Sequence, residues 1–251
     1  MNHRGWKLII LLLVVFSLTA ASGNGETGNG KRESLTVNRS EKFLYDLTWT
    51  GINAGTASLE FTQDGDKRYI VSTAHSAKWV SVFYTVEDFA ESIMIDNRAS
   101  NYRIRQREGR YRSNKEVVFK QDRGKAIFYN HLNGQKEEHD VPRDVLDPLS
   151  GFYKLRTEPL EIGRPTYIEM FDTKKVWKVE VQVLRKERLS TAAGQFDTIV
   201  VKPLLQSAEG FFQRKGDVYI WLTDDSRRLP VKMQTKVVVG YVTATLVGGD
   251  F

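Results

Sequence analysis

The sequence predicts a mainly β fold: a single large antiparallel curved sheet or partly open barrel, with one short helix packed on it. Three observations predict this fold. From residue 42 onward, apolar and polar side chains alternate with a period of two, as in strands that bury one face. Turn residues separate these stretches at short intervals, and a single segment has the spacing and capping residues of a helix. An antiparallel sheet of this width has to curl to cover its apolar face and protect its edges.

The N-terminus has the three-part pattern of a secretory signal. Arg4 and Lys7 precede an apolar run from Leu8 to Ala21, and small residues end that run. The run is shorter than the ~20 apolar residues that a spanning helix needs, so we expect cleavage near Ala21 or Ser22 rather than an uncleaved anchor. The chain has no cysteine to acylate, which excludes a lipoprotein. We therefore expect the mature protein in the periplasm, without a transmembrane span.

Three segments follow from this pattern. Residues 1–22 are the predicted signal peptide, residues 23–40 a flexible leader with few apolar side chains, and residues 41–251 a single β-rich domain. The lack of cysteine also excludes disulfides and thiol catalysis. The formal net charge is +6, part of which lies in the signal peptide. A mild basic excess in an exported protein predicts no nucleic-acid partner.

The first predicted strands form a meander. Alternating side chains predict strands over residues 42–49, 57–61 and 69–73, joined by turns at 51–55 and 64–66. The segment KWVSVFY, residues 78–84, breaks the alternation and predicts a helical turn or a bent connection. Strands resume over residues 85–95, 102–106, 116–120 and 125–129, and Asn133-Gly134 predicts a hairpin turn.

The predicted helix comes next. Asp147 is a strong N-cap residue, and Pro148 suits the first helical position, where its missing N–H group is not needed. Apolar and aromatic side chains recur at spacings of three and four up to Arg156, which predicts a short helix lying against the sheet. Further strands are predicted over residues 167–171, 176–184, 196–205, 217–222, 231–239 and 241–246.

The sequence shows no recognisable catalytic or metal-binding pattern. His75, His131 and His139 lie in different predicted elements, which favours surface or packed histidines over ligands. No nucleophile elbow, phosphate loop or dinucleotide fingerprint is present. Asp224 and Asp225 are neighbours and fit a turn better than a pair of catalytic carboxylates. We therefore expect no enzymatic activity, no cofactor and no bound metal.

Two sets of residues are candidates for binding. The first is aromatic: Trp79, Phe83, Phe152 and Tyr153 could line an apolar ligand cavity between helix and sheet, or they could simply be core residues. The second is basic, from Arg103 to Lys115, with alternate arginines on one strand face. This patch could meet anionic headgroups or polysaccharide, or be a solvated outer face with charges that protect an edge.

Several segments together resemble a known family. They are LYDLTWTGINAGTASL near the start, the stretch from Leu146 to Arg156, Gly194 to Thr198, and GDVYIWLTDDSRRLPVKMQTKVVVGYVTATL at the end. This set resembles the exported bacterial domain-of-unknown-function family 3108. The resemblance implies a periplasmic β-rich domain and carries no activity or catalytic residues. The predicted architecture is also similar to lipoprotein-carrier folds, a likeness of architecture alone.

Three functions remain open from the sequence. The first is a non-enzymatic exported envelope protein that binds a hydrophobic or lipid ligand in the concavity of the sheet. The second is an envelope assembly or protein-interaction module with a filled core. The third is an enzyme of unrecognised type. A cavity lined by small residues would favour the first function, and bulky residues filling the interior would favour the second.

Overall fold

The computed structural model describes residues 40–204, 217–237 and 239–251. The predicted signal peptide, and the predicted leader except for Ser40, lie outside the described residues. The division of the chain into signal, leader and domain therefore stays a prediction.

The described chain forms fourteen strands and two short helices. Helix α1 spans Lys78–Ser81 and helix α2 spans Pro148–Arg156. A 3-10 turn covers Gln121–Arg123. The strands are β1 Ser40–Trp49, β2 Ile52–Asp64, β3 Lys67–Ser76, β4 Val86–Ile95, β5 Arg98–Glu108, β6 Tyr111–Lys120, β7 Lys125–Asn130, β8 Gln135–Asp140, β9 Thr166–Phe171, β10 Val176–Thr191, β11 Gly194–Leu204, β12 Val218–Thr223, β13 Pro230–Lys236 and β14 Tyr241–Asp250.

All fourteen strands belong to one sheet. Their order is β8-β7-β6-β5-β4-β3-β2-β1-β14-β13-β12-β11-β10-β9, and every neighbouring pair is antiparallel. The first and last strands therefore pair in the middle of the sheet, and its two edges, β8 and β9, come from the middle of the chain. This open, curved antiparallel sheet confirms the predicted fold class.

The hairpins define two ends of the sheet. The β1–β2, β3–β4, β5–β6, β7–β8 and β13–β14 connections lie at one end, because successive strands are antiparallel. We call this end the α1 rim, since α1 lies in the β3–β4 connection. The predicted turn at residues 51–55 is tighter than expected. Only Thr50 and Gly51 form it, and both have positive φ.

Helix α2 lies in the connection between the two edge strands and packs inside the curled sheet. It contacts β4 and β9, and eight of its nine residues are buried. Asp147 caps it as predicted: its carboxylate accepts hydrogen bonds from the Leu149 and Ser150 amides, and Ser150 completes a capping box. Ser92 of β4 donates a further bond of 2.6 Å to Asp147. The helix lies against the sheet as predicted, and it is enclosed on nearly all sides.

A buried ion pair fixes the end of α2. The Arg156 guanidinium donates to both carboxylate oxygens of Glu41 at 2.7 and 3.0 Å, and both side chains are almost fully buried. Arg156 also donates to the carbonyls of Arg227 and Arg228 in the β12–β13 hairpin. Burial works to lower the pKa of Arg156, and the hydrogen bonds that Arg156 donates to the Glu41 carboxylate outweigh it, so the pKa is raised. Arg156 therefore connects α2 to β1 and to the β12–β13 hairpin, at the end of the sheet away from the α1 rim.

The interior around α2 is filled with large side chains. Tyr45 and Tyr102 are among its largest fully buried residues. The buried apolar side chains of both halves of the sheet and of α2 form one cluster. The fit to β9 is tight at Gly151, where an added Cβ would lie 2.8 Å from the end of the Met170 side chain. Close packing of this kind leaves α2 little freedom to move.

Candidate functional site

The structure separates the four aromatic residues that the sequence grouped as a ligand site. Phe152 and Tyr153 are buried residues of α2, and the Tyr153 ring stacks on Phe61 with centroids 4.8 Å apart. Trp79 and Phe83 lie at the α1 rim, where Phe83 is 82% exposed. The helix pair and the rim pair are thus at opposite ends of the sheet. A ligand-binding role for any of the four stays a prediction.

The α1 rim carries a group of exposed apolar side chains, which we call the rim patch. Val82 and Phe83 follow α1 and are the most exposed of them, at 77% and 82%. Trp79 of α1 and residues of the β1–β2 and β13–β14 hairpins supply the others. The complete set is Ile52, Trp79, Val82, Phe83, Val239 and Tyr241.

Hydrogen bonds join the three loops that carry the rim patch. The Trp79 indole N–H donates to the carbonyl of Asn53 at 2.9 Å, which links α1 to the start of β2. The Trp49 indole N–H donates to the carbonyl of Val239 at 2.8 Å. The Thr50 amide donates to the carbonyl of Tyr241 at 2.8 Å, which links the β1–β2 and β13–β14 hairpins. The exposed apolar side chains therefore lie on three neighbouring, hydrogen-bonded loops.

Four exposed basic residues surround the rim patch. Lys78 precedes Trp79 in α1, and Lys236 pairs with Tyr241 across the β13–β14 hairpin. Arg110 and Arg112 lie in and beside the β5–β6 turn, which the Gly109 amide connects to the carbonyl of Thr85 after α1. Among the described residues, none of the four has a carboxylate partner within 4.0 Å.

The three arginines spaced by two on β5 are held differently. Arg103 pairs with Glu116 at 3.0 Å and Arg107 with Glu87 at 2.9 Å. The Arg105 guanidinium lies over the Phe89 ring, 4.6 Å from its centroid. Charged partners on β4 and β6 therefore occupy two of them, as expected for a solvated outer sheet face.

A polar row lies on the inner face of the sheet beneath the rim. Asp88, Gln106 and Ser113 are direct cross-strand neighbours on β4, β5 and β6. Burial raises the pKa of Asp88 to about 7, and one of its oxygens has no hydrogen-bond partner among the described residues. The other oxygen accepts a bond of 2.8 Å from the Arg107 amide. The buried Ser113 hydroxyl likewise has no hydrogen-bond partner in the part of the chain that the structure describes.

An open groove of about 470 Å³ lies beside the rim, lined by residues of β1, the β1–β2 turn, β10, β13 and β14. Its lining combines hydroxyl, amide and ammonium groups with apolar surface, and it shares Tyr241 with the rim patch. The lining therefore differs in chemistry from the rim patch. Its polar residues include Thr48, Thr50, Ser190, Lys232, Gln234, Thr243 and Thr245.

The described part of the chain brings no metal-binding group together. No three histidine, aspartate or glutamate side chains among the described residues are placed to hold an ion. His131 contacts Glu116 at 2.8 Å, and His139 lies beside the Phe171 ring. In the same ranges, neither helix has the length and apolar character needed to cross a lipid bilayer.

Part of the rim was missed from the sequence. Ile52, Val82, Val239 and Tyr241 were read as strand or connection residues and not as surface candidates. A usable signal was present, since large apolar residues stood in or beside segments that broke the strand alternation.

Comparisons with known proteins support the fold and show the family. A beta-barrel-like protein of domain of unknown function DUF1849 from Brucella abortus has a TM-score of 0.58 and 11% identity, with 84% of this chain and 97% of that chain covered. A candidate lipoprotein from Parabacteroides distasonis has a TM-score of 0.36, 10% identity and coverages of 85% and 96%. A candidate exported protein with a YmcC-like fold from Bacteroides fragilis has a TM-score of 0.33, 8% identity and coverages of 84% and 95%.

At 11% identity, the likeness to the Brucella abortus protein shows the fold alone. The TM-scores of the other two structures are too low to support a conclusion about this chain. No curated protein matches the sequence. The model of the family described as protein of unknown function (DUF3108) matches residues 44–247, which is most of the chain and nearly all of the sheet. The chain therefore belongs to the DUF3108 family.

Proposed function

We propose that this chain is a non-enzymatic binding module of the bacterial envelope, and that it binds lipid at the α1 rim. The observation that carries the proposal is the rim patch, six exposed apolar side chains on three hydrogen-bonded loops. Soluble monomers rarely leave large contiguous apolar patches in water, and those that do usually bind a partner there.

The packing around α2 supports a surface role over carriage of a lipid beside the helix. Phe152 and Tyr153, which a ligand there would contact, are already covered by protein. To make room, a ligand would have to displace α2, which the Glu41–Arg156 pair and the Asp147 cap hold in place. The filled interior is the property that the sequence associated with an interaction module.

Export and the absence of catalysis belong to the same proposal. The signal pattern from Arg4 to Ala21 would deliver the domain to the periplasm, where lipid surfaces lie on both sides. The polar row contains one carboxyl group of raised pKa, that of Asp88. Among the described residues of this row, no nucleophile is paired with a base. The rim patch offers apolar contact and no reactive group.

Vesicle binding tests the proposal. Mature protein is mixed with phosphatidylcholine vesicles containing phosphatidylglycerol, and the bound fraction is measured by flotation. Transfer of a Phe side chain out of water contributes about 1.5–3 kcal/mol, so Phe83→Ser should weaken partitioning roughly tenfold or more. Ile162→Ser is the matched control, because Ile162 is an exposed large apolar residue in the connection that leads into β9, away from the rim.

The outcome is read from both variants. Loss of binding in Phe83→Ser with unchanged binding in Ile162→Ser supports the rim. Absence of binding by the wild-type protein to vesicles of any composition, or equal losses in the two variants, would overturn the proposed function.

A further inference from the structure

We propose that the α1 rim docks end-on to an anionic phospholipid bilayer, with the rim patch entering the headgroup region and the surrounding basic residues contacting the phosphates. This inference rests on the proposed function and adds to it the charge of the partner and the orientation of the domain.

The cations at the rim are free to meet an external anion. Lys78, Lys236 and Arg110 are exposed and have no carboxylate partner among the described residues. Arg112 donates to the carbonyls of Gly109 and Tyr111, which leaves its positive charge unneutralised. Basic groups near an anionic membrane surface each strengthen binding by about fivefold.

The carboxylates at the same end are neutralised or turned inward. Glu87 is paired with Arg107 at 2.9 Å, and Asp217 with Lys202 at 2.9 Å. Asp88 and Glu108 are buried beneath the rim. The outward-facing charge of the described residues at this end is therefore positive.

The aromatic residues of the rim are of the kind that sit at a bilayer interface. Trp79 satisfies its indole N–H inside the protein at Asn53, so its ring can leave water without an unpaired donor. Tyr241 combines an apolar ring with a hydroxyl, the amphipathic character that is enriched at headgroup level. Phe83 and Val82 have no polar atom in their side chains and are the most exposed of the patch.

The arrangement favours a bilayer over a soluble polyanion. Apolar side chains follow α1 and lie on the two adjoining hairpins, and the cations lie in α1, at the end of β13 and in and beside the neighbouring β5–β6 turn. A bilayer presents phosphates above hydrocarbon and can satisfy both groups together. A soluble polyanion would satisfy the cations and leave Phe83 and Val82 in water.

The experiment uses two vesicle compositions and two charge variants of the mature protein. One set of vesicles is pure phosphatidylcholine and the other contains phosphatidylglycerol at about a third of the lipid, a composition chosen to give a clearly negative surface. The rim variant is Lys78→Glu with Lys236→Glu. The control variant, Lys120→Glu with Arg123→Glu, makes the same change in net charge at the opposite end, where both residues are exposed.

The wild-type protein and the control variant should bind anionic vesicles at least tenfold more tightly than neutral ones. The rim variant should lose roughly 25-fold or more on anionic vesicles, since two cations are removed, and raised salt should narrow the difference. Binding to neutral and anionic vesicles alike, with Phe83→Ser still defective, would overturn the charged docking and leave the lipid-binding function standing. Equal losses in the rim and control variants would also overturn it. Failure to bind any vesicle would overturn both.

Discussion

The buried Glu41–Arg156 pair offers a test of whether α2 is locked inside the sheet. Glu41→Gln keeps the shape of the side chain and one acceptor oxygen, and removes the negative charge that the guanidinium meets at 2.7 and 3.0 Å. Both side chains are 2–3% exposed, so water cannot take over the lost interaction. Breaking a buried pair on one side costs about 3–5 kcal/mol, and we expect about 3 kcal/mol because one acceptor remains.

Urea unfolding followed by tryptophan fluorescence measures this cost. For a domain of this size, about 3 kcal/mol corresponds to a fall in the melting temperature of roughly 6–12 °C. A double-mutant cycle with Arg156→Met separates the pair from its surroundings. The double variant should lose less unfolding free energy than the two single variants together, because it contains neither charge and so leaves no buried charge unpaired.

A small change in unfolding free energy would show that the Glu41–Arg156 pair does not lock α2 in place. If Glu41→Gln changes the free energy of unfolding by less than 0.5 kcal/mol, as is usual for surface substitutions, the guanidinium must reach water or another anion. The Arg227 and Arg228 carbonyls, which also accept from Arg156, would then be the main attachment of α2. Additive effects in the cycle would lead to the same conclusion.

Three further predictions concern the cap, the polar row and export. Asp147→Ala removes acceptors for two α2 amides and for the Ser92 hydroxyl, and should lower the free energy of unfolding by about 2 kcal/mol; an unchanged melting midpoint would show that Asp147 does not cap the helix. Burial raises the pKa of Asp88 from its ordinary 3.8 to about 7, so the folded state holds a proton that the unfolded chain has released between about pH 4 and pH 7. Asp88 therefore lowers the free energy of unfolding as the pH rises through that window. Between pH 5 and pH 8, the free energy of unfolding of Asp88→Asn should rise by about 2–3 kcal/mol relative to that of the wild-type protein. Parallel curves of unfolding free energy against pH for the two proteins would contradict this. N-terminal sequencing of protein isolated from cells should begin between Ser22 and Asn24, and full-length protein in the membrane fraction would refute cleavage.

Local patterns in the sequence predicted most of the elements. The alternation around Phe43 and the turn at Asn133-Gly134 correspond to β1 and to the β7–β8 hairpin. Asp147 and Pro148 marked the start of α2 correctly. These features depend on neighbouring residues, so a short window contains the information. Strand ends were less predictable: β10 continues to Thr191, beyond the predicted end at 184, across a bulge after Val183.

Features that depend on distant residues were not predictable in this way. The position of the sheet edges follows from the pairing of β1 with β14, which no local pattern encodes. Glu41 and Arg156 are separated by 115 residues, and neither stands out as one of a buried pair in the sequence. Phe83 and Phe152 are both aromatic residues in apolar surroundings, yet one is exposed and the other buried. Side-chain exposure is decided by which loops meet at the rim, and tertiary structure alone determines that.

The most direct test of rim docking is a spin label placed at Phe83. The chain has no cysteine, so Phe83→Cys and Ile162→Cys each give a single labelling site. With phosphatidylglycerol-containing vesicles, the label at position 83 should become more accessible to oxygen and less accessible to a water-soluble nickel complex. The label at position 162 should keep its accessibility in water. A position 83 label that stays in water while the protein is bound, or a position 162 label that enters the bilayer instead, would contradict docking through the α1 rim.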